Sequence, residues 1–516
     1  MRRNCAENAD SGVLGAAAPR RGGSGWHNKA ERMGLLAGPF VERLVTGARG
    51  RRPMWHIRTI CATTMRMLSS FKPLFTIAVP IILQNFLSSF VNMLDTIMVG
   101  QLGSVEIAAV GLGNSFFFLM NMVLFGTVSG GAIFIAQYWG KRDLEGVHRT
   151  MGITIVLSSV VSVLFFLAAF FAPEICLSFY SDDEELIVIG ADYLRTVSWS
   201  YLFIGFGFPF AHAERSTERV KLPMVATILS VVVNCVLNYL LIFGVNIGGV
   251  QYIPRMGVVG AAIATNVSRL VEMILLIVVP FVKKYEIAAA PGQYFKRQNG
   301  FISQYARICL PVLLNETLWG LGNTMQNVIY GHAGTDIVAA MQITNTIGNL
   351  IWTFFIGTGN GTGIILGKMI GEGRHDEARS LAKKYVGFNA VAGLVLGALL
   401  FPLSFLLPHV FNVEADVMHM ALMLCYLNIM LYPFSSSNMT LVVGVCRAGG
   451  DTVFSLFMDV GFMWILAIPL GFMGVYLWHL PYWALFFCIR ADELPKLLLG
   501  LSRLLSGKWL HDVTTS

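Results

Sequence analysis

Apolar runs of about twenty residues recur from Leu68 almost to the end of the chain, separated by short polar connections. A helix of that length matches the hydrocarbon thickness of a bilayer. Inside lipid every backbone amide must find its partner within the protein, and a helix satisfies that requirement alone. The pattern therefore predicts an all-α polytopic membrane protein. Twelve spans are expected: 71–98, 106–138, 149–171, 187–212, 221–244 and 257–282, then 302–330, 337–369, 378–407, 417–446, 452–473 and 474–500. Several exceed the bilayer thickness, which implies tilt or protrusion.

The connections set the orientation. Odd-numbered connections are acidic or neutral, with Glu106, Asp182 to Glu185, Asp336, Glu414 and Asp416; Arg255 is their main cation. Even-numbered connections and the tails carry Lys141, Arg142 and Arg149, then Arg215, Arg219 and Lys221, Lys283 and Lys284, Arg374, Lys383 and Lys384, Arg447, and Lys496, Arg503 and Lys508. Basic residues collect on the cytoplasmic side, so both termini are expected there, in an inner (plasma) membrane. The net charge of +7 then reports orientation rather than affinity for nucleic acid.

Residues 1–65 stand apart. They are rich in Gly, Ala and Arg, offer no spanning segment and lack the apolar core of a signal peptide. They read as a disordered extension or as an upstream start, with Met65 or Met67 as the alternative beginning. None of the eight cysteines forms a CxxC pair, and most lie in or beside apolar runs, as small hydrophobes do.

An internal repeat organises the rest. At a single offset of 231 residues, Pro80, Leu83, Leu87, Asn92, Gly100, Gly103, Ala108 and Ala109 coincide with Pro311, Leu314, Leu318, Asn323, Gly331, Gly334, Ala339 and Ala340. Arg215 is echoed by Arg447 at an offset of 232. Six spans separate the copies. The halves therefore share one orientation and are related by an axis along the membrane normal. The division is 66–282 for an N-terminal lobe, 283–301 for a basic cytoplasmic linker, and 302–516 for a C-terminal lobe with a short tail.

Each half carries one acid deep in its opening span, at different depths. Asp95 stands where the second half has Gln326, and Glu316 stands opposite Asn85. A carboxylate inside a span costs about 2.5–3.5 kcal/mol on insertion scales. It usually lines a cavity or ion path.

Several stretches form a recognisable set: VNMLDTIMVGQLG around Asp95, LPVLLNETLWGLG around Glu316, NCVLNYLLIFG in the fifth span, GAAIATNVSR in the sixth and GVCRAGGDT after the tenth. Together they resemble the multidrug and toxic compound extrusion (MATE) transporters. The resemblance covers about residues 68–510. It implies two six-helix lobes around a V-shaped cleft, and export of organic cations and drugs driven by inward Na⁺ or H⁺. It also implies an N-lobe cation site formed by Asp95 with Asn234, Asn238 and Thr265. Some members carry a second Asp where this chain has Asn238. A C-lobe site built on Glu316 is implied in some branches, but the tenth span here reads YPFSSSNMT and lacks the acid that completes it.

The residues support these assignments to different degrees. A buried carboxylate is relieved of its desolvation cost when it binds a proton, which suits Asp95 to coupling; a fixed hydrogen-bond network is the alternative. Asn234 and Asn238 share a helix face and serve equally as ligands or as interhelical bonds. Trp319 lies one turn after Glu316, where an indole stacks on a flat cation. Gln342, Asn345 and Asn349 either face the cleft or pack. Arg269 and Glu272, three apart, are expected to pair, and Asp459 is expected to pair with a basic loop residue.

No nucleotide loop or HExxH run is present, so neither an ATP-driven pump nor a metalloprotease is expected. No cofactor or metal is expected, and the coupling ion is H⁺ or Na⁺. The expectation is a monomeric antiporter, not an enzyme, whose partners are small organic cations and the bilayer. A flippase for lipid or lipid-linked precursors on a related two-lobe fold is the alternative. A membrane transferase would need an acidic hydrophilic loop, and the linker has only Glu286.

Overall fold

The computed structural model describes residues 54–515, apart from 248, 249, 297–299 and 412. Of the N-terminal extension, residues 1–53 lie outside the described residues. Leu68–Ser516 forms one compact unit.

Its helices follow the expected order. The first six spans are Met54–Gly100, Ser104–Lys141, Leu144–Phe171, the pair Glu184–Val197 and Trp199–Ser216, Lys221–Phe243, and Gly257–Val282. A short antiparallel hairpin, Val245–Ile247 with Val250–Ile253, joins the fifth to the sixth. The second half runs Phe301–Ala333, Thr335–Gly371, His375–Ser404, Ala415–Met439 with a π-helical end Thr440–Cys446, Thr452–Tyr476, and the pair Tyr482–Ile489 and Glu493–Ser506.

Among the described residues, nine helices are long and apolar enough to cross a membrane unaided. The other three spans fall short for distinct reasons. The fourth is broken at Ser198 and the twelfth at Arg490–Asp492. The seventh is continuous but carries Asn315, Glu316, Asn323 and Gln326. The last loop falls at 477–481, later than expected, where His479 is left-handed and Pro481 starts the next helix.

Glycine contacts show how the halves are related. A Cβ on Gly126 would strike Leu313, and one on Gly357 would strike Ile82. Gly130 meets Cys309, and Gly361 meets Ala78. Gly140 meets the Lys368 carbonyl, and Gly371 meets the Gln137 carbonyl. Every residue in the first contact of each pair maps onto its counterpart in the second at the 231-residue offset of the repeat. Three reciprocal contacts of this kind define a two-fold relation between halves, with the second and eighth spans crossing closely.

The cores show where the halves join. Near the basic loops, Leu74, Ala78 and Ile81 of the first span are buried among second-half residues such as Leu366, Tyr385 and Leu441. Reciprocally, Phe301, Tyr305 and Cys309 of the seventh span are buried among Phe134, Met151 and Ala226 of the first half. Toward the acidic loops each half keeps its own core, around Met120, Leu124 and Tyr201 in one and Ile329, Met341 and Phe486 in the other. The halves are thus fused at one end and separate at the other, which is the V of a two-lobe membrane protein.

The C-terminal segment reinforces the fused end. Trp509 is fully buried. Gln137 of the second span donates to the carbonyls of Ala448 (2.8 Å) and His511 (3.1 Å) and accepts from the Val513 amide (2.8 Å). Asp512 pairs with Lys141 at 3.0 Å. The reading as a simple tail gave this segment no such role.

Candidate functional site

Between the first, second, fourth, fifth and sixth spans lies a cavity of about 330 Å³. Its wall includes Asn92 and Asp95 from the first span, Asn114 and Asn121 from the second, and Tyr193 and Ser200 from the fourth. Thr227 and Asn234 come from the fifth span, Thr265 and Arg269 from the sixth. The lining is largely amides and hydroxyls on an aromatic and aliphatic frame. Such a mixture orients a ligand through a few polar groups.

Asp95 is half-buried, and its carboxylate accepts from the Asn238 amide. The same amide donates to Asn234 Oδ1 at 3.1 Å. Asn238 is fully buried, and its own amide oxygen has no partner. Of the five residues expected to hold the coupling ion, Asp95, Asn234, Asn238 and Thr265 come together here. Glu316 does not.

Glu316 sits in a different environment. Arg447, at the end of the tenth span, pairs with it at 2.6 Å, and the two side chains are only 11% and 3% exposed. Arg447 was expected as a loop cation, but it lies in the core. Nearby, Asp459 pairs with Lys496 of the twelfth span at 3.2 Å and accepts from Asn315 at 3.0 Å. The partner of Asp459 is therefore another helix and not a loop residue. Lys496 also pairs with Asp492 at 2.6 Å. Ser435 and Asn438 donate to Glu493 at 2.7 Å each. The YPFSSSNMT stretch thus meets an acid from the twelfth span. Removing one partner of such a buried pair leaves an uncompensated charge and costs about 3–5 kcal/mol.

Trp319, Gln342, Asn345 and Asn349 do not line the N-half cavity. Trp319 stacks on Trp352, ring centres 6.2 Å apart and planes at 5°. Gln342 and Asn349 are exposed and Asn345 half-buried. Arg269 and Glu272 pair as expected, at 2.8 Å.

A further chain of bonds was missed from sequence. Thr227 donates to Glu272 at 2.7 Å, Gln84 donates to Thr227 at 2.8 Å, and Arg215 donates to Gln84 at 2.8 Å. The repeat holds the signal that would have found it. Gln84 corresponds to Asn315, Thr227 to Asp459 and Arg215 to Arg447, at offsets of 231 or 232.

Two equivalent helical halves, fused at one end, with a polar cavity inside one of them, define a multi-pass membrane transporter. The chain belongs to the MATE family of efflux transporters: the family model MatE matches residues 80–240 and 311–473, one match per half. Relatives include the probable multidrug resistance protein YoeA of Bacillus subtilis, 24% identical, with 77% of this chain and 85% of that protein aligned. The probable multidrug resistance protein NorM of Pasteurella multocida is 26% identical, with 78% and 85% aligned. Among solved structures, an outward-facing multidrug resistance MATE transporter of the MOP superfamily superposes with a TM-score of 0.77 at 19% identity, covering 85% of this chain and 97% of that one. A MATE protein in complex with MaL6 gives 0.76 at 19% identity, with the same coverage.

Proposed function

We propose that this protein is a secondary antiporter that exports organic cations and drugs in exchange for protons, with Asp95 as the coupling group. The observation that carries the reading is Asp95 on the wall of the N-half cavity, its carboxylate held by the buried Asn238 amide behind it. The hydrogen-bond partner of the Asp95 carboxylate is neutral and the cation on the same cavity wall, Arg269, is itself paired with Glu272, whereas Glu316 and Asp459 of the other half are paired directly with Arg447 and Lys496. A lone carboxylate with amide partners exchanges its charge for a proton more readily than an acid in a closed ion pair.

The Asn238 amide suits both states. Its N–H₂ serves the charged carboxylate. Its oxygen, now without a partner, would accept from the protonated acid after an amide rotation. Na⁺ instead wants several fixed oxygens, yet Asn234 Oδ1 is already engaged by Asn238. Proton entry at Asp95 and release of a cationic substrate would then be alternate occupancies of one cavity. Exchange of one proton for one monovalent cation moves no net charge, so the pH gradient drives it, at about 1.4 kcal/mol or a tenfold substrate gradient per pH unit. The basic-loop end is assigned to the cytoplasm of the inner (plasma) membrane, with both termini inside and a monomer as the working unit. Ethidium uptake by everted vesicles, with pH and Na⁺ gradients imposed separately, tests the reading. Uptake driven by the pH gradient alone is expected. Uptake driven only by Na⁺ would overturn the proton assignment.

A further inference from the structure

Besides Asp95, one charged side chain lines the N-half cavity. Arg269 stands on the sixth span with its side chain 29% exposed, and Glu272, 13% exposed, holds it at 2.8 Å. Thr227, also on the cavity wall, gives Glu272 a second hydrogen bond at 2.7 Å. Gln84, on the same span as Asp95, holds Thr227 in turn at 2.8 Å.

We propose that the Arg269–Glu272 pair is a charge gate on this cavity: Glu272 restrains the guanidinium, and opening of the pair turns a full positive charge onto a cation bound beside Asp95 and expels it. The proposal rests on the organic-cation reading above and assigns a role within it that Asp95 cannot fill. Neutralising Asp95 removes an attraction; freeing Arg269 adds a repulsion. Together they switch the sign of the cavity.

The other half contains the closed version of the same device. The positions of Gln84 and Thr227 are taken there by Asn315 and Asp459, and the cation that Asp459 meets is Lys496 of the twelfth span, clamped between Asp459 and Asp492. Lys496 is 6% exposed. That cation has two counter-charges and cannot turn toward a ligand. Arg269 has one ion-pair partner, Glu272, and a cavity beside it that also holds Asp95. Gln84 links Glu272, through Thr227, to the span that carries Asp95. A shift of that span therefore acts on both charges of the site.

The test is equilibrium binding of tetraphenylphosphonium to the purified full-length protein in detergent. Glu272→Gln keeps the side-chain shape and the acceptor for Thr227 but releases Arg269. It should weaken binding by about tenfold or more, because like charges in a desolvated site repel strongly. Adding Arg269→Gln to that variant removes the released charge and should restore binding to within about threefold of the wild type. A merely structural pair predicts the reverse order, with the double variant no better than the single one. Binding by Glu272→Gln equal to the wild type, or no recovery in the double variant, overturns the gate. Asp95→Asn separates the two levels: if it binds as the wild type does, the underlying site assignment falls, whereas a gate failure with Asp95→Asn still defective leaves that assignment standing. Lack of saturable wild-type binding removes both.

Discussion

The two halves place matching polar networks at matching positions and use them in opposite ways. In the first half Arg215, Gln84 and Thr227 form a mostly neutral chain that reaches the wall of a cavity at Thr227 and ends on Glu272. In the second half Arg447, Asn315 and Asp459 occupy the equivalent places, and Glu316, Lys496, Asp492 and Glu493 complete a buried cluster in which each acid has a close partner. Duplication supplied the same scaffold twice. On the proposed reading a transport site needs a charge that is incompletely countered, and Asp95 is such a charge, bonded to a neutral amide. A closed cluster of pairs instead holds helices in register and resists exchange with ions or protons, because breaking any pair strands a charge in a dry environment.

The largest expected effect separates the halves outright. Asp95→Asn should reduce coupled export to background while thermal unfolding in detergent stays within about 1 kcal/mol of the wild type. Glu316→Gln should do the opposite. It leaves Arg447 buried without its counter-charge and should cost about 3–5 kcal/mol of stability. The matched variant Glu316→Gln with Arg447→Met should recover most of that loss in the same unfolding measurement. If Glu316→Gln is as stable as the wild type but inactive, the contrast breaks and Glu316 is a transport residue.

Two smaller effects sharpen the contrast. Asn238→Ala removes the donor to Asp95 and should shift the apparent affinity for ethidium by about tenfold, the scale of a hydrogen bond to a charged group. Trp319→Ala should cost about 1 kcal/mol through its lost stack on Trp352, with transport per folded molecule unchanged. The smallest concerns the linker pair Arg219–Glu286, at 2.6 Å with both side chains more than a third exposed. Burial works against the charge of Glu286, but hydrogen bonds from its own amide and from Arg219 hold the carboxyl below its ordinary value. A lowered carboxyl stabilises the fold above the ordinary carboxylate range and loses that contribution as pH falls through the lowered value. Arg219→Ala should therefore change stability at neutral pH by less than about 0.5 kcal/mol, and the difference from wild type should vanish in acid.

Much of this was legible in sequence. Hydropathy located the spans, because lipid imposes length and composition directly. The 231-residue echo predicted a two-fold relation that the reciprocal glycine contacts bear out. The grouping of Asp95 with Asn234, Asn238 and Thr265 followed from the resemblance. What stayed hidden was pairing at long range. Arg447 lies 131 residues from Glu316, beside a loop, and the positive-inside pattern assigned it to the surface. Its 3% exposure shows that a cation near a span end can turn inward when an acid waits there. Thr227 is a small polar residue in an apolar run and Gln84 stands beside Asn85, and neither carries a periodic signal. The π-helical stretches at Thr440–Cys446, Phe457–Gly461 and Met463–Ala467 widen the turn in helices whose sequence period reads as ordinary. The segment after Gly507 is polar and short, and only packing reveals Trp509 as its anchor.

One side-by-side measurement bears most directly on the division of labour between the halves. Ethidium uptake by everted vesicles under an imposed pH gradient is compared for Asp95→Asn and for the neutral pair Glu316→Gln with Arg447→Met, at matched levels of inserted protein. Uptake at background for the first variant, and at about half the wild-type rate or better for the second, is the predicted result. Robust uptake by Asp95→Asn together with loss in the neutral-pair variant would place coupling in the second half and contradict the account.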